Sequence, residues 1–273
     1  MEFTTHLRKM RTSLGEDNIA QYKLHQFDNL QYTGEVNMND FVGKRLSISF
    51  TGEINCIETG KKLKKTFGEG LSYEAWLKSP AASPSVINPE LSRIHEGIAL
   101  RDFDWEQANH NVPHIAYLTR TSGLKVGVTK ASNKNSRWID QGATEGIVLA
   151  ETPYRQLAGI IEVALKEHIA DKTAWQAMLK NETRSTESLI DLKNRMLDLL
   201  PDDLNMFAAD DDSITTIQYP VLRYPLKVKS MKLDTTSLFE DDLVGIKGQY
   251  LIFKSDVVFN IRAHSGYQVK FRI

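Results

Sequence analysis

Cysteine is almost absent from this chain: Cys56 is the only one in 273 residues. One thiol excludes an intramolecular disulfide and cannot complete a thiolate zinc cage, so no structural zinc is expected and Cys56 reads as a buried thiol. Long hydrophobic runs are missing too. No stretch of about 18 apolar residues exists to cross a bilayer, and the opening MEFTTHLRKM lacks the apolar segment of a signal peptide. The expectation is a soluble, cytoplasmic protein with no membrane partner. Charge of one sign is also lacking, because the net charge is only −1. Nothing in the overall balance pulls the chain toward nucleic acid.

What is present is an ordinary globular composition, 41% apolar and 25% charged, over a length that fits one large domain or two to three small ones. The charge is unevenly distributed. Residues 182 to 212 carry nine acidic against three basic residues, a balance of −6, while 218 to 273 carry nine basic against five acidic, or +4. Such runs are most often solvated surface.

Local periodicity divides the chain further. Residues 1–56 read as a β-rich module, in which LSISFTGEINC places Leu46, Ile48 and Phe50 on one strand face. Residues 57–112 look irregular: KKLKK, FGEGLSYEAW and the Pro/Ser-rich SPAASPSVINPE argue for loops with short helices. The 113–180 segment begins with a hairpin, PHIAYLTR and LKVGVTK about a TSG turn. A short helix follows, carrying Arg137 to Gln141 and capped by Ser132 or Asn133. Next come the strand GIVLAET and a helix expected to reach residue 172, with Leu157, Ile161, Leu165 and Ile169 on one face. Residues 181–214 hold an amphipathic helix stopped by Pro201 and an acidic linker, and 215–273 alternate as a second β-rich module resembling a small barrel or meander. The fold class is therefore α+β, a central antiparallel sheet with helices flanked by two barrel-like modules. DFVGKRLSISF (40–50) and DLVGIKGQYLIF (242–253) echo each other, which either duplication or chance produces.

Glu162 stands inside the apolar run GIIEVAL, with Ala158 and Gly159 a turn earlier keeping that face open. Burying a carboxylate unpaired is costly, so it needs a cation. The plain reading is a salt bridge to Arg137 or Lys125. The functional one is a single Mg²⁺ completed by water and phosphate oxygens.

The order of these residues resembles the GIY-YIG nuclease module of homing endonucleases and bacterial excision repair, over about 113 to 172. Tyr117 in HIAYL, Val126-Gly127 in KVGVT, Arg137 on the short helix and Glu162 on the longer one carry the resemblance. It implies a three-stranded antiparallel sheet with catalytic Tyr117, Arg137 and Glu162: a proton acceptor near the attacking water, a clamp on the phosphorane charge, and the ligand of the one catalytic metal. Lys125 stands where the second motif opens with Tyr, as in a KIG-type branch, and Val128 has no catalytic side chain. Lys125 can contact phosphate but cannot replace a phenol hydrogen-bonded to water. Over nearly its full length the chain also resembles an uncharacterised bacterial domain-of-unknown-function family, through RWIDQGA, AGIIEVALKEHIADKTAW and GIKGQYLIF. That resemblance implies cysteine pairs of zinc-ribbon spacing at positions held here by Cys56 and Thr59, Ser72 and Ala75, Ala82 and Ser85, and Ser92, so the zinc ligands are lost.

The remaining features have plainer readings. KKLKK is a solvated run, His110 and His114 belong to loop or core, and Trp138 and Trp175 are core anchors. Three functions stay open. The first is a Mg²⁺-dependent endonuclease acting on DNA or RNA. The second is a non-catalytic nucleic-acid platform using Lys125, Lys130 and Arg137, and the third a protein-interaction scaffold in which Arg137 and Glu162 are a structural pair. Lys125 favours the second over the first. Oligomeric state is not written in any of these features.

Overall fold

Alternating apolar residues in the chain's two ends do form strands, and a computed structural model shows how they pair; it describes residues 1–169, 174–183 and 185–273. Along the chain come β1 (Glu2–His6), β2 (Arg11–Leu14), β3 (Ala20–Asp28), β4 (Gln31–Asn37) and β5 (Arg45–Ile54), then helices α1 (Tyr73–Lys78), α2 (Pro84–Ile87) and α3 (Phe103–His110). The middle continues with β6 (His114–Arg120), β7 (Leu124–Lys130), α4 (Lys134–Asp140), β8 (Glu145–Thr152), α5 (Arg155–Leu165), α6 (Trp175–Leu179), α7 (Leu189–Leu197) and α8 (Asp202–Asn205). The last part holds β9 (Thr215–Thr216), β10 (Lys229–Met231), β11 (Leu238–Lys247), β12 (Tyr250–Phe253), β13 (Val257–Asn260) and β14 (Tyr267–Arg272). The fold is mixed α+β with several sheets. Among the described residues no helix is long and apolar enough to cross a membrane.

Two units result: Met1–Lys78 with Gln218–Ile273, and Ser79–Ile217. In the first, strands from both chain ends share one seven-stranded sheet of order β1-β14-β5-β11-β12-β13-β10, beside a three-stranded sheet β2-β3-β4. The expected barrels are corrected by this arrangement, since the large sheet stays open with β1 and β10 as edges. The strand readings themselves stand on burial: Leu46, Ile48, Val269 and Phe271 are buried, and Ile48 lies opposite Phe271. The echo between 40–50 and 242–253 does not extend to the backbone of its opening letters. Residues Met38–Phe41 form a 3-10 turn, whereas Asp242 to Gly245 lie within β11, so the shared letters adopt different backbones.

The second unit is built on a four-stranded antiparallel sheet, β7-β6-β8-β9, one strand more than the hairpin-plus-strand reading expects. Ala116, Leu118, Val126, Ile147 and Leu149 of this sheet form one core with Ile161, Leu165 and Ile169 and with Leu189, Leu192 and Met196 of α7. Each such aliphatic side chain contributes about 1.5–3 kcal/mol by burial, which is why α5 lies across the sheet despite its length. That helix ends at Leu165, although Ile169 remains in the core. The last residues of the longer helix expected there (170–172), and Arg184 of the acidic stretch, lie outside the described residues. Two boundary signals differ from expectation. Asn133 occupies the N-cap of α4 without a side-chain bond, because the 3-10 turn Ala131–Asn133 leads into the helix through the backbone. Pro201, expected to stop the preceding helix, instead sits at the N-cap of α8, since α7 already ends at Leu197 with Asp198 as its C-cap.

Candidate functional site

Tyr117 on β6 stands opposite Gly127 on β7, and its ring lies across that residue: a Cβ there would fall 2.6 Å from the phenol oxygen. Gly127 is thus a packing requirement of the tyrosine. Gly146 does the same for Trp138, whose ring carbon would be 2.6 Å from an added Cβ. Tyr117 and Trp138 meet edge to face at 5.7 Å, and both are fully buried.

Helix α4 brings Arg137 and Gln141 to the phenol, because residues four apart share a helix face. Tyr117 Oη lies 3.1 Å from the Gln141 amide. With the amide oxygen toward Arg137, it accepts from Nε at 3.1 Å and Nη2 at 3.2 Å while the amide nitrogen donates to Tyr117. Burial raises the Tyr117 pKa; the charge and hydrogen bond of Arg137 and the bond to Gln141 oppose this, and the Glu162 charge adds to it. At neutral pH the group is a phenol.

Helix α5 supplies Arg155 and Glu162, seven residues and two turns apart on one face. Burial lowers the Arg155 pKa to about 10, opposed by the Glu162 charge, reinforced by Arg137 and opposed again by Glu90. Phenol, two guanidinium groups and a carboxylate are therefore electrostatically linked at the β7 side of the sheet. Glu162 is largely buried, 14% exposed at its side chain, with Lys166 at 3.8 Å.

The lysines separate. Lys125 pairs with Thr119 and so shares the sheet face of Tyr117, whereas Lys130 pairs with His114 on the opposite face and donates to Asn109 Oδ1 at 2.7 Å. Beside Lys130, His110 and His114 are buried. Burial, with Arg155, His114 and Lys130 adding positive charge, lowers His110 to about 3. Burial likewise lowers His114 to about 4, opposed by its bond to Val112 and helped by Arg155 and Lys130. His114 Nδ1 bonds the Val112 carbonyl at 2.8 Å, leaving Nε2 without a partner.

The face of α5 near Glu162 is not left open by its small residues. Ala158 is core, and Gly159 receives the backbone of Pro89 and Glu90, with the Pro89 carbonyl carbon 2.6 Å from where a Cβ would stand. Among the described residues no three His, Cys, Asp or Glu side chains are grouped as a metal set. A divalent ion at Glu162 would therefore have that one carboxylate from the protein and would need water or phosphate oxygens for the rest.

In the other unit, Cys56 is buried, and its sulfur accepts from the Ser72 N–H at 3.2 Å. Burial raises its pKa, but the Thr59 hydroxyl and the backbone N–H groups of Ser72, Glu58 and Thr59 together bring it to about 7. Ala75 packs in the same cluster, so Cys56, Thr59, Ser72 and Ala75 meet at one place. Ser85 and Ser92 bond Ser83 (3.0 Å) and His110 (3.3 Å) instead.

Gln141 and Arg155 were not singled out by motif order. The signal available was helical spacing, four after Arg137 and seven before Glu162. What the site defines is an α+β unit with cations and one carboxylate gathered at a sheet edge. Residues 43–269 match the model of the family described as a protein of unknown function, DUF2797, and the chain belongs to that family. No curated protein and no solved structure matches it.

Proposed function

We infer that the Tyr117, Arg137, Gln141, Arg155 and Glu162 set is a phosphodiester site that cleaves nucleic acid with one divalent ion, as the GIY-YIG resemblance implies. The observation that carries this is geometric: Tyr117, Arg137 and Gln141 meet through hydrogen bonds of 3.1 and 3.2 Å, and Arg155 and Glu162 stand two turns apart on one face of α5. Each has work in such a reaction. Arg137 binds a nonbridging phosphate oxygen and offsets the charge that grows there. Its guanidinium is aligned by Gln141, which lowers the cost of holding that geometry. The buried Tyr117 phenol acts at one remove, holding Gln141 and through it Arg137 in place. Glu162 would hold the Mg²⁺, which supplies a Lewis acid for the phosphate oxygens.

A second reading is favoured by Lys125, an ammonium on the Tyr117 face where the resemblance has a second phenol. In it the same cluster of residues binds nucleic acid without cutting. One experiment separates the two. Single- and double-stranded DNA and RNA are titrated across a salt series with Mg²⁺-dependent cleavage scored in parallel. Affinity should fall steeply with salt, by nearly one counterion per phosphate neutralised. Arg137→Ala should weaken binding, and Glu162→Gln should abolish cleavage while leaving metal-free binding intact or slightly tighter. Binding without cleavage selects the platform, and no binding at low salt eliminates both readings.

A further inference from the structure

Arg155 is committed to a segment of its own chain. Its Nε donates to the Ser85 carbonyl and its Nη2 to the Val86 carbonyl, each at 3.0 Å. Those two donors form the edge of the guanidinium that grips a phosphate or carboxylate in parallel. Four residues along α5 lies Gly159, into which the backbone of Pro89 and Glu90 fits so closely that no Cβ could be added. Glu90 lies close enough to raise the pKa of Arg155, yet its Oε2 is buried with no hydrogen-bond partner. The segment thus gives Arg155 two carbonyl acceptors and, without a hydrogen bond, a nearby carboxylate charge, so that the acceptor role of a phosphate is filled from within. An orphaned carboxylate oxygen makes this docking costly to hold. Ile87, at its outer turn, is 81% exposed, so little apolar burial holds that turn down.

Resting on the phosphodiester reading above, we propose that Arg155 is a second phosphate-binding arginine of the site and that residues 84–91 are a strap that occupies it until nucleic acid displaces it. The apparent affinity is then reduced by the fraction of molecules in which the strap is docked. The geometry gives two ways to loosen it without touching Arg155. Gly159→Ala puts a methyl group into the Pro89–Glu90 backbone, and Glu90→Gln removes the mimicking charge with its shape kept.

The test measures binding of a fluorescent single-stranded oligonucleotide at low salt to the unmodified protein, both variants, and each combined with Arg155→Gln. Alongside it, hydrogen exchange of residues 84–91 is followed with and without inorganic pyrophosphate. Expected are a gain of about fivefold or more in affinity for the loosened variants, cancellation of that gain by Arg155→Gln, and faster exchange of the strap with pyrophosphate. Equal affinity in both variants, or a gain that survives Arg155→Gln, overturns the strap. If Arg137→Ala still weakens the unmodified protein in that case, the phosphodiester reading stands alone. If nothing binds the oligonucleotide, that reading fails and the pyrophosphate exchange judges the strap, with unchanged exchange refuting it. Should Gly159→Ala not fold, Glu90→Gln carries the comparison.

Discussion

Gly127→Ala is the sharpest perturbation of the central sheet, because its effect must pass through one side chain. An added Cβ would stand 2.6 Å from Tyr117 Oη, 2.7 Å from Cζ and 3.1 Å from Cε2. Ordinary carbon contacts begin near 3.5 Å, so the ring must retreat by on the order of 1 Å. It has nowhere easy to go: Tyr117 has no exposed surface, Trp138 meets it edge to face at 5.7 Å, and Trp138 is pinned over Gly146. Overpacking of this kind costs about 1–3 kcal/mol. Tyr117→Phe alone removes a buried hydroxyl and its bond to Gln141, at about 1 kcal/mol. The two should couple, since the phenol oxygen is the nearest atom to the new methyl. The double variant is expected to be less destabilised than the sum of the singles, by roughly 0.5–1 kcal/mol. Urea unfolding of all four proteins gives the cycle. A Gly127→Ala variant within about 0.5 kcal/mol of the parent, or strictly additive singles, would refute the idea that this glycine exists to seat the tyrosine.

Other expectations concern buried charge. Lys193 is almost fully buried, its ammonium donating to the Ala209 carbonyl (2.7 Å), the Asp211 carbonyl (3.0 Å) and Asp212 Oδ1 (2.7 Å). Asp212 is 58% exposed, so the ion pair itself adds little; the two carbonyls left without a donor should make Lys193→Met cost about 2–3 kcal/mol by chemical denaturation. His110 and His114 are neutral in the folded state, with pKa values lowered to about 3 and about 4 from 6.5. Between those values and 6.5 the unfolded chain binds more protons, so stability should be full above pH 6.5 and fall as pH drops toward 4, with a slope approaching about two protons. Replacing both by Gln should flatten that slope in the range 4 to 6.5, and an unchanged slope would show that other groups cause it.

How far the residues themselves carry the reading is clear at particular positions. The period-2 runs at 114–120 and 124–130 are β6 and β7, and the four-residue recurrence of Leu157, Ile161, Leu165 and Ile169 marks a face that packs on the sheet. Side-chain period is a local property of the backbone, so it is legible wherever one face is buried. The candidate site was legible in another way: Glu162 stands out as a carboxylate within an apolar run, while Tyr117, Gly127 and Arg137 were marked only by the order they share with the motifs of the GIY-YIG resemblance. Gln141 and Arg155 share helix faces with Arg137 and Glu162, but nothing in the spacing distinguishes them from solvated polar residues.

Long-range partners are another matter. Alternation in 1–56 and 215–273 determined strands, while only the tertiary structure decided that β5 lies between β14 and β11 in one open sheet rather than in separate barrels. The same holds for Lys193, a surface residue by type, which became buried because the acidic stretch folds back to give it three oxygens. It holds again for Gly159, where an apparently open notch is filled by residues 89 and 90, some seventy positions earlier. Period and composition record which way each side chain faces. Which distant backbone comes to meet that face depends on closing long loops against their entropy, and that balance is struck by the whole packed unit rather than by any window of the chain.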